Sequence, residues 1–432
     1  MNRRPIQHEK IRTDATALCE IGNRFVGNAG EARARDYIRQ RFREVGLANV
    51  REEPFEVATY RPGAARCELI GVASGSELAC VGLQFTGSGD VESEAVDLGI
   101  LREAPDLDRA IDHTGGLAGR IAILQCPYPY LFTERLLAEG AVAIVDVSEA
   151  RDGHICHLNA MMYPALAANP NGTRLPIPGV TVERGDAERL VEHVRVSSRR
   201  IRVVHDARYE IVTTANVVGE LTGAGGTGER AVIGGHYDSQ LEGVGASDNA
   251  SGIASLIEVA GVLAERPLYR TLVFAAFADE EGGFRGSTHY CRLHRDTLES
   301  TVGMVNLDAP GWAPSQRSLH ADASIRALAV ETARQVNWSP DEEMDASLFP
   351  GSDHNPFIDA GVPSCFFWRH PPTHPYYHTG GDTLDLLDFR VVADTARVSC
   401  AMIERLGTDR DLRLGRSRPS RRWLDLRPDV RR

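Results

Sequence analysis

In the second half of the chain, short apolar runs alternate with stretches whose apolar residues recur at helical spacing. Ala231-Val232-Ile233 closes one buried strand, and Ile253, Leu256, Ile257, Ala260 and Leu263 form the stripe of the helix that follows. Thr271–Phe277, Val302–Leu307 and Ser364–Trp368 read as further strands, and Ser287–Leu293, Ala323–Val336 and Val391–Leu406 as helices. This alternation predicts an α/β fold with a mixed, largely parallel sheet and helices on both faces.

The first part of the chain reads differently. Glu9 to Gly46 predicts two helices; the second, Gly30 to Val45, lines up Ala32, Ala34, Tyr37, Ile38 and Phe42, and Gly46 stops it. Val50 to Tyr60 predicts an edge strand, broken by Arg61-Pro62-Gly63. From residue 64 to 208 short strands alternate with turns, around a compact strand–helix–strand unit (Arg120–Gln125, Thr133–Gly140, Ala141–Val147). Gly179–Val182 adds a strand and Asp186–Val194 a helix, while Glu210–Leu221 gives two short strand signals that rejoin the earlier edge. The expected organisation is a discontinuous main domain, 1–63 with 209–407, and a smaller β-rich α/β domain inserted at 64–208. The arginine-rich stretch 408–432 has little apolar periodicity and predicts a disordered tail, with Trp423, Leu424 and Leu426 as its one hint of an anchor.

Composition narrows the function classes. With 42% hydrophobic and 25% charged residues the 432-residue chain has the make-up of a globular protein, and its net charge of -12 argues against a nucleic-acid partner. No stretch is long and apolar enough to span a membrane, and no apolar core follows Met1 to Gln7 as a secretory signal would require. The eight cysteines are scattered with no Cys-x-x-Cys, as in a reducing compartment, so a cytoplasmic location is expected.

The chemistry gathers where strands end. His236, Asp238 and Asp248 lie in the Gly-rich loop after the first strand, Glu280 and Glu281 follow the next, Asp308 ends a third, and His378 follows the last. In an open α/β sheet this edge is where ligands bind. Two imidazoles, His236 and His378, and three carboxylates, Asp248, Glu281 and Asp308, suit zinc, with manganese or cobalt also accommodated. Five donors exceed one zinc site, whereas two ions sharing one carboxylate would use them all. Glu280, beside Glu281, is then free to act as a general base.

The motifs His236-Tyr-Asp238, Gly245-Ala-Ser-Asp248-Asn-Ala-Ser-Gly252, Glu280-Glu281-Gly-Gly-Phe-Arg-Gly286-Ser287, Asn306-Leu-Asp308, Ser352-Asp353-His354 and Tyr377-His378-Thr379 resemble those of the co-catalytic zinc peptidases of family M28. The match runs in order over about 211–406. The resemblance implies a metal-dependent exopeptidase, first of all an aminopeptidase acting on small peptides through two divalent ions. It implies that Asp248 bridges the ions, with His236 and Asp308 at one and Glu281 and His378 at the other. Asp238 would then fix the His236 ring through its second nitrogen, Glu280 would be the base and Tyr377 would stabilise the oxyanion. Gly119-Arg-Ile-Ala-Ile-Leu and Gly140-Ala-Val-Ala-Ile-Val liken the insertion to a protease-associated domain that shapes substrate access. The alternatives are a glutamate-releasing carboxypeptidase, for which Arg285 and Arg369 would hold a terminal carboxylate, a glutaminyl cyclase, and a binding protein on the same fold. His154, Cys156 and His157 read as a polar loop, Asp353 and His354 as pocket wall, His370 and His374 as a rigid rim, and Phe366 to Trp368 as core strand.

Overall fold

The computed structural model describes residues 4–72, 74–161, 174–196, 199–312, 315–347, 351–369 and 375–418. They form two compact units: Met1–Val57, Thr213–Pro372 and Asp382–Arg432 make the larger, and Ala58–Val212 with Thr373–Gly381 the smaller.

The larger unit opens with α1 (His8–Glu20) and α2 (Ala29–Glu44). Its strands are β1 (Ala48–Arg61), β2 (Arg208–Leu221), β3 (Arg230–His236), β4 (Thr271–Phe277), β5 (Thr301–Asn306), β6 (Ser318–Ala321), β7 (Glu342–Asp345) and β8 (Ser364–Trp368). They form one eight-stranded sheet in the order β1-β2-β4-β3-β5-β8-β6-β7. The four central strands β4, β3, β5 and β8 run parallel, and β2 and β6 join them antiparallel. From β3 the chain passes to β4 on one side and then to β5 on the other. The direction of winding therefore reverses beside β3, which is where such sheets open a crevice at their carboxyl ends.

Alternation along the strands builds a core on each face. Ala231, Ile233, Leu272, Phe274, Ala276 and Val305 pack under α1, α2, α3 (Ser251–Leu263) and the long α8 (Phe389–Thr408). Val232, Val273, Ala275, Phe277 and Met304 face the other way, against Tyr290 and Leu298 of α4 (Arg285–Leu293) and α5 (Arg295–Leu298) and Phe357 of α7 (His354–Asp359). A further helix, α6 (Arg326–Gln335), adds Leu328, Ala329 and Ala333 to the first core. Every residue of α3 is buried. Such a helix holds its N-terminus, just after Asp248, as firmly as the strands hold theirs.

The smaller unit has its own eight-stranded sheet, with Gly89–Ile100, Ile121–Gln125, Ala143–Val147 and Gly179–Val182 parallel at its centre. Ala122, Leu124 and Ile144 serve one of its cores, and Ile121, Ile123, Ala143, Val145, Val180 and Val182 the other.

Three expectations change. Arg208–Leu221 is one continuous 14-residue strand, not two short ones, and lies between β1 and β4 in the sheet. The division between units falls inside β1 and β2, not at the Pro-Gly break, and residues 373–381 go with the smaller unit. Residues 409–418 are ordered against the larger unit: Leu412 and Leu414 pack on its core, and the Arg416 guanidinium donates to the main-chain oxygens of Leu298, Thr301 and Ala360. Buried Arg270 donates in turn to the Leu406 and Asp409 carbonyls. Arginine finds main-chain acceptors here that a compositional reading does not anticipate. Trp423, Leu424 and Leu426 lie outside the described residues.

Candidate metal centre

The carboxyl ends of β3, β4 and β5 bring His236, Glu280 and Asp308 together, each offering one ligand atom within 4.8 Å of the others. His236 Nε2 lies 3.1 Å from Asp248 Oδ1 and 3.4 Å from Asp308 Oδ1. Asp248 and Glu281 bring a carboxylate oxygen each within 4.8 Å of one another. His378 belongs to the segment that packs with the smaller unit, where its Nδ1 lies 3.1 Å from the His157 carbonyl oxygen and its ring stacks on Tyr377.

Close backbone packing permits this convergence. A Cβ on Gly235 would stand 2.0 Å from the Leu307 carbonyl oxygen, so only glycine lets β3 deliver His236 beside the end of β5. Gly245 has a φ of +50°, and a Cβ there would meet the Asp248 carbonyl at 2.2 Å. Asn249, next to Asp248, donates to the carbonyls of His236 and Leu307 and accepts from Gly252 N and Ala309 N, tying the ends of β3, β5 and α3 together.

Asp238 stands beside the second nitrogen of the His236 ring. His236 Nδ1 lies 3.2 Å from the main-chain oxygen of Asp238 and 3.6 Å from its carboxylate. The carboxylate also accepts the N–H groups of Glu280 and Glu281, both at 3.2 Å. It therefore anchors the turn that aims the two glutamates, while its carbonyl leaves Nε2 as the ring's ligand atom.

The electrostatics describe a cation site. Burial opposes a charge on His236, yet Glu280 and Asp308 raise its pKa well above the usual imidazole value. Burial raises Glu280 well above the ordinary carboxylate range, against the pull of His236, with Asp308, Glu281 and Asp353 adding to it. A fully buried imidazole among so many carboxylates forms a donor set with surplus negative charge, which fits a borderline divalent cation.

Several supporting residues were not singled out from the sequence. Arg24 is fully buried, and its guanidinium donates to the carbonyls of Tyr237, Val244 and Gly245. Glu31 accepts from Tyr237 Oη at 2.5 Å and from Thr214 Oγ1 at 2.9 Å. Asp382 accepts from Ser247 N at 2.9 Å and Asp248 N at 3.0 Å. Their only sequence signal is charge in otherwise apolar or loop surroundings; for Asp382 there was also proximity to His378.

The remaining candidates fall outside the ligand groups. Asp353 is buried and accepts from Ser287 Oγ at 2.6 Å, and buried His354 packs on Phe366. His154 meets Tyr376 edge-on, and His157 N–H donates to the His378 carbonyl. Among the described residues, His154, Cys156 and His157 belong to no three-ligand group. Phe367 lies in the core and Trp368 is half-buried against Phe366. His370 and His374 lie outside the described residues.

A doubly covered α/β sheet with carboxylates and an imidazole gathered at its switch point defines a metal-dependent hydrolase of the zinc-peptidase architecture. The comparisons agree. Residues 216–403 match the model of Peptidase family M28. It is 26% identical over 380 residues to aminopeptidase YwaD of Bacillus subtilis, covering 84% of this chain and 77% of that one. It is 25% identical over 399 residues to carboxypeptidase Q of Xenopus laevis, covering 85% and 79%. The structure of BSAP, a zinc aminopeptidase from Bacillus subtilis, superposes with a TM-score of 0.69 at 20% identity, covering 95% of this chain and 98% of that one, and shares the fold.

Proposed function

We propose that this chain is a metal-dependent aminopeptidase that removes N-terminal residues from small peptides with two divalent ions, zinc foremost and manganese or cobalt as substitutes. The observation that carries the reading is the meeting of His236, Glu280 and Asp308, with Asp248 and Glu281, at one sheet edge of an M28 domain. In this reading His236, Asp248 and Asp308 hold one ion and Asp248, Glu281 and His378 the other. Bound divalent ions supply Lewis-acid polarisation of the scissile carbonyl and acidify water.

The chain's own residues do the rest. Glu280, at the same edge and held by its N–H on Asp238, takes a proton from the attacking water and returns it to the leaving amine. Tyr377 donates a hydrogen bond to the developing oxyanion. The inserted unit is read as a protease-associated-like domain.

Carboxypeptidase action is the second reading, favoured by the likeness to carboxypeptidase Q. Against it, Arg285 pairs with Asp279 and Arg369 with Asp394, so both candidate carboxylate holders are already engaged. The test is release of amino acids from dipeptides with free or acetylated N-termini and free or amidated C-termini, using enzyme stripped by chelation and reloaded with zinc. Cleavage that needs zinc and the free amine is expected. Cleavage indifferent to acetylation but lost on C-terminal amidation would replace this reading with the second.

A further inference from the structure

The bridging role proposed for Asp248 demands that its carboxylate be held in one place, yet Asp248 follows a loop and precedes α3. Three successive N–H groups before the helix converge on one residue. Ala246 N donates to the main-chain oxygen of Asp382 at 3.2 Å, and Ser247 N and Asp248 N donate one each to its two carboxylate oxygens, at 2.9 and 3.0 Å. Asp382 is 3% exposed, so water does not compete for these bonds. The preceding stretch is braced independently by Arg24, whose guanidinium donates to the carbonyls of Tyr237, Val244 and Gly245. On the other side Asn249 is tied to the ends of β3 and β5.

We propose that Asp382 is a positioning residue for the metal centre: it fixes the main chain of Asp248 and so the direction of the shared carboxylate. The inference rests on the two-metal reading above. Asp382 touches no reacting atom. It stands four residues after His378 in the chain.

The test compares the full-length protein with D382A and D382N, each stripped and then titrated with zinc, and separately with cobalt followed by visible absorption. D382A is expected to bind at least one ion 10- to 100-fold more weakly, with an altered cobalt spectrum. D382N keeps the side-chain volume and one acceptor oxygen, and is expected to fall between D382A and wild type. In both variants kcat should fall with KM changed less than about two-fold, as for a defect in the reacting centre. A purely structural anchor would lower the melting temperature and leave affinity and spectrum unchanged. That result in folded D382N, or in D382A, would overturn the proposal. A wild-type protein that binds no pair of ions would overturn the two-metal reading itself, and the inference with it.

Discussion

Each unit of this protein is an eight-stranded sheet with parallel strands at its centre, and each buries acidic side chains at the carboxyl edge of those strands. In the larger unit the acids of neighbouring strands meet around an imidazole. In the smaller, Asp146 lies near the end of Ala143–Val147: it is fully buried, and Cys126 Sγ is 3.8 Å from Oδ1. Burial raises its pKa well above the carboxylate range. The same strand-edge architecture thus carries a candidate cation site in one unit and a buried acid whose pKa burial raises in the other. What separates them is local: glycines that let strand ends close on one another, and several carboxylates brought around one imidazole. The fold alone does not make the site.

The sharpest way to break the contrast is to remove the base. Glu280→Gln should lower kcat by roughly 10³-fold, within the range for general acid–base groups, with zinc content unchanged by elemental analysis. A smaller loss would mean that the proton passes elsewhere. Tyr377→Phe should cost about tenfold in kcat with KM nearly constant, the modest end of oxyanion stabilisation; an unchanged kcat would remove Tyr377 from the mechanism.

On the other edge, Asp146→Asn should leave peptidase activity intact and change stability instead. Unfolded, Asp146 ionises near pH 4, as ordinary aspartates do. Folded, it keeps its proton to a much higher pH. The folded state therefore binds more protons across that interval, and its stability falls as pH rises from about 4 toward the raised value. Melting curves between pH 5 and 8 should show a flatter pH dependence for Asp146→Asn and a midpoint at pH 8 raised by roughly 2 °C or more. Identical slopes for the two proteins would contradict the buried-acid account.

The two edges also differ in how far the sequence discloses them. His236, Asp248, Glu280, Glu281 and Asp308 stand out because each follows an apolar strand whose period is unmistakable, so the sheet itself announces that they share an edge. Arg24, Glu31 and Asp382 do not, because they act by hydrogen bonds on main chain or side chains 130 or more residues away, which no local pattern encodes. Asp238 was legible as a participant, but its contact with the Glu280 and Glu281 N–H groups depends on how β3 and β4 align. The edge strands β6 and β7 escaped notice for a related reason: Glu342-Glu343-Met344-Asp345 has no strand-like apolar content and becomes a strand through pairing with β6. The tail failed in the opposite direction, since arginines that read as solvated are engaged with carbonyls.

The measurement that bears most directly on the whole account is a zinc titration of the stripped protein followed by calorimetry, with His378→Ala alongside. The account predicts two ions per chain for the wild type and one tightly bound ion for the variant, held by His236, Asp248 and Asp308. A wild type that binds one ion or none, or a variant that still binds two with unchanged affinity, would contradict it.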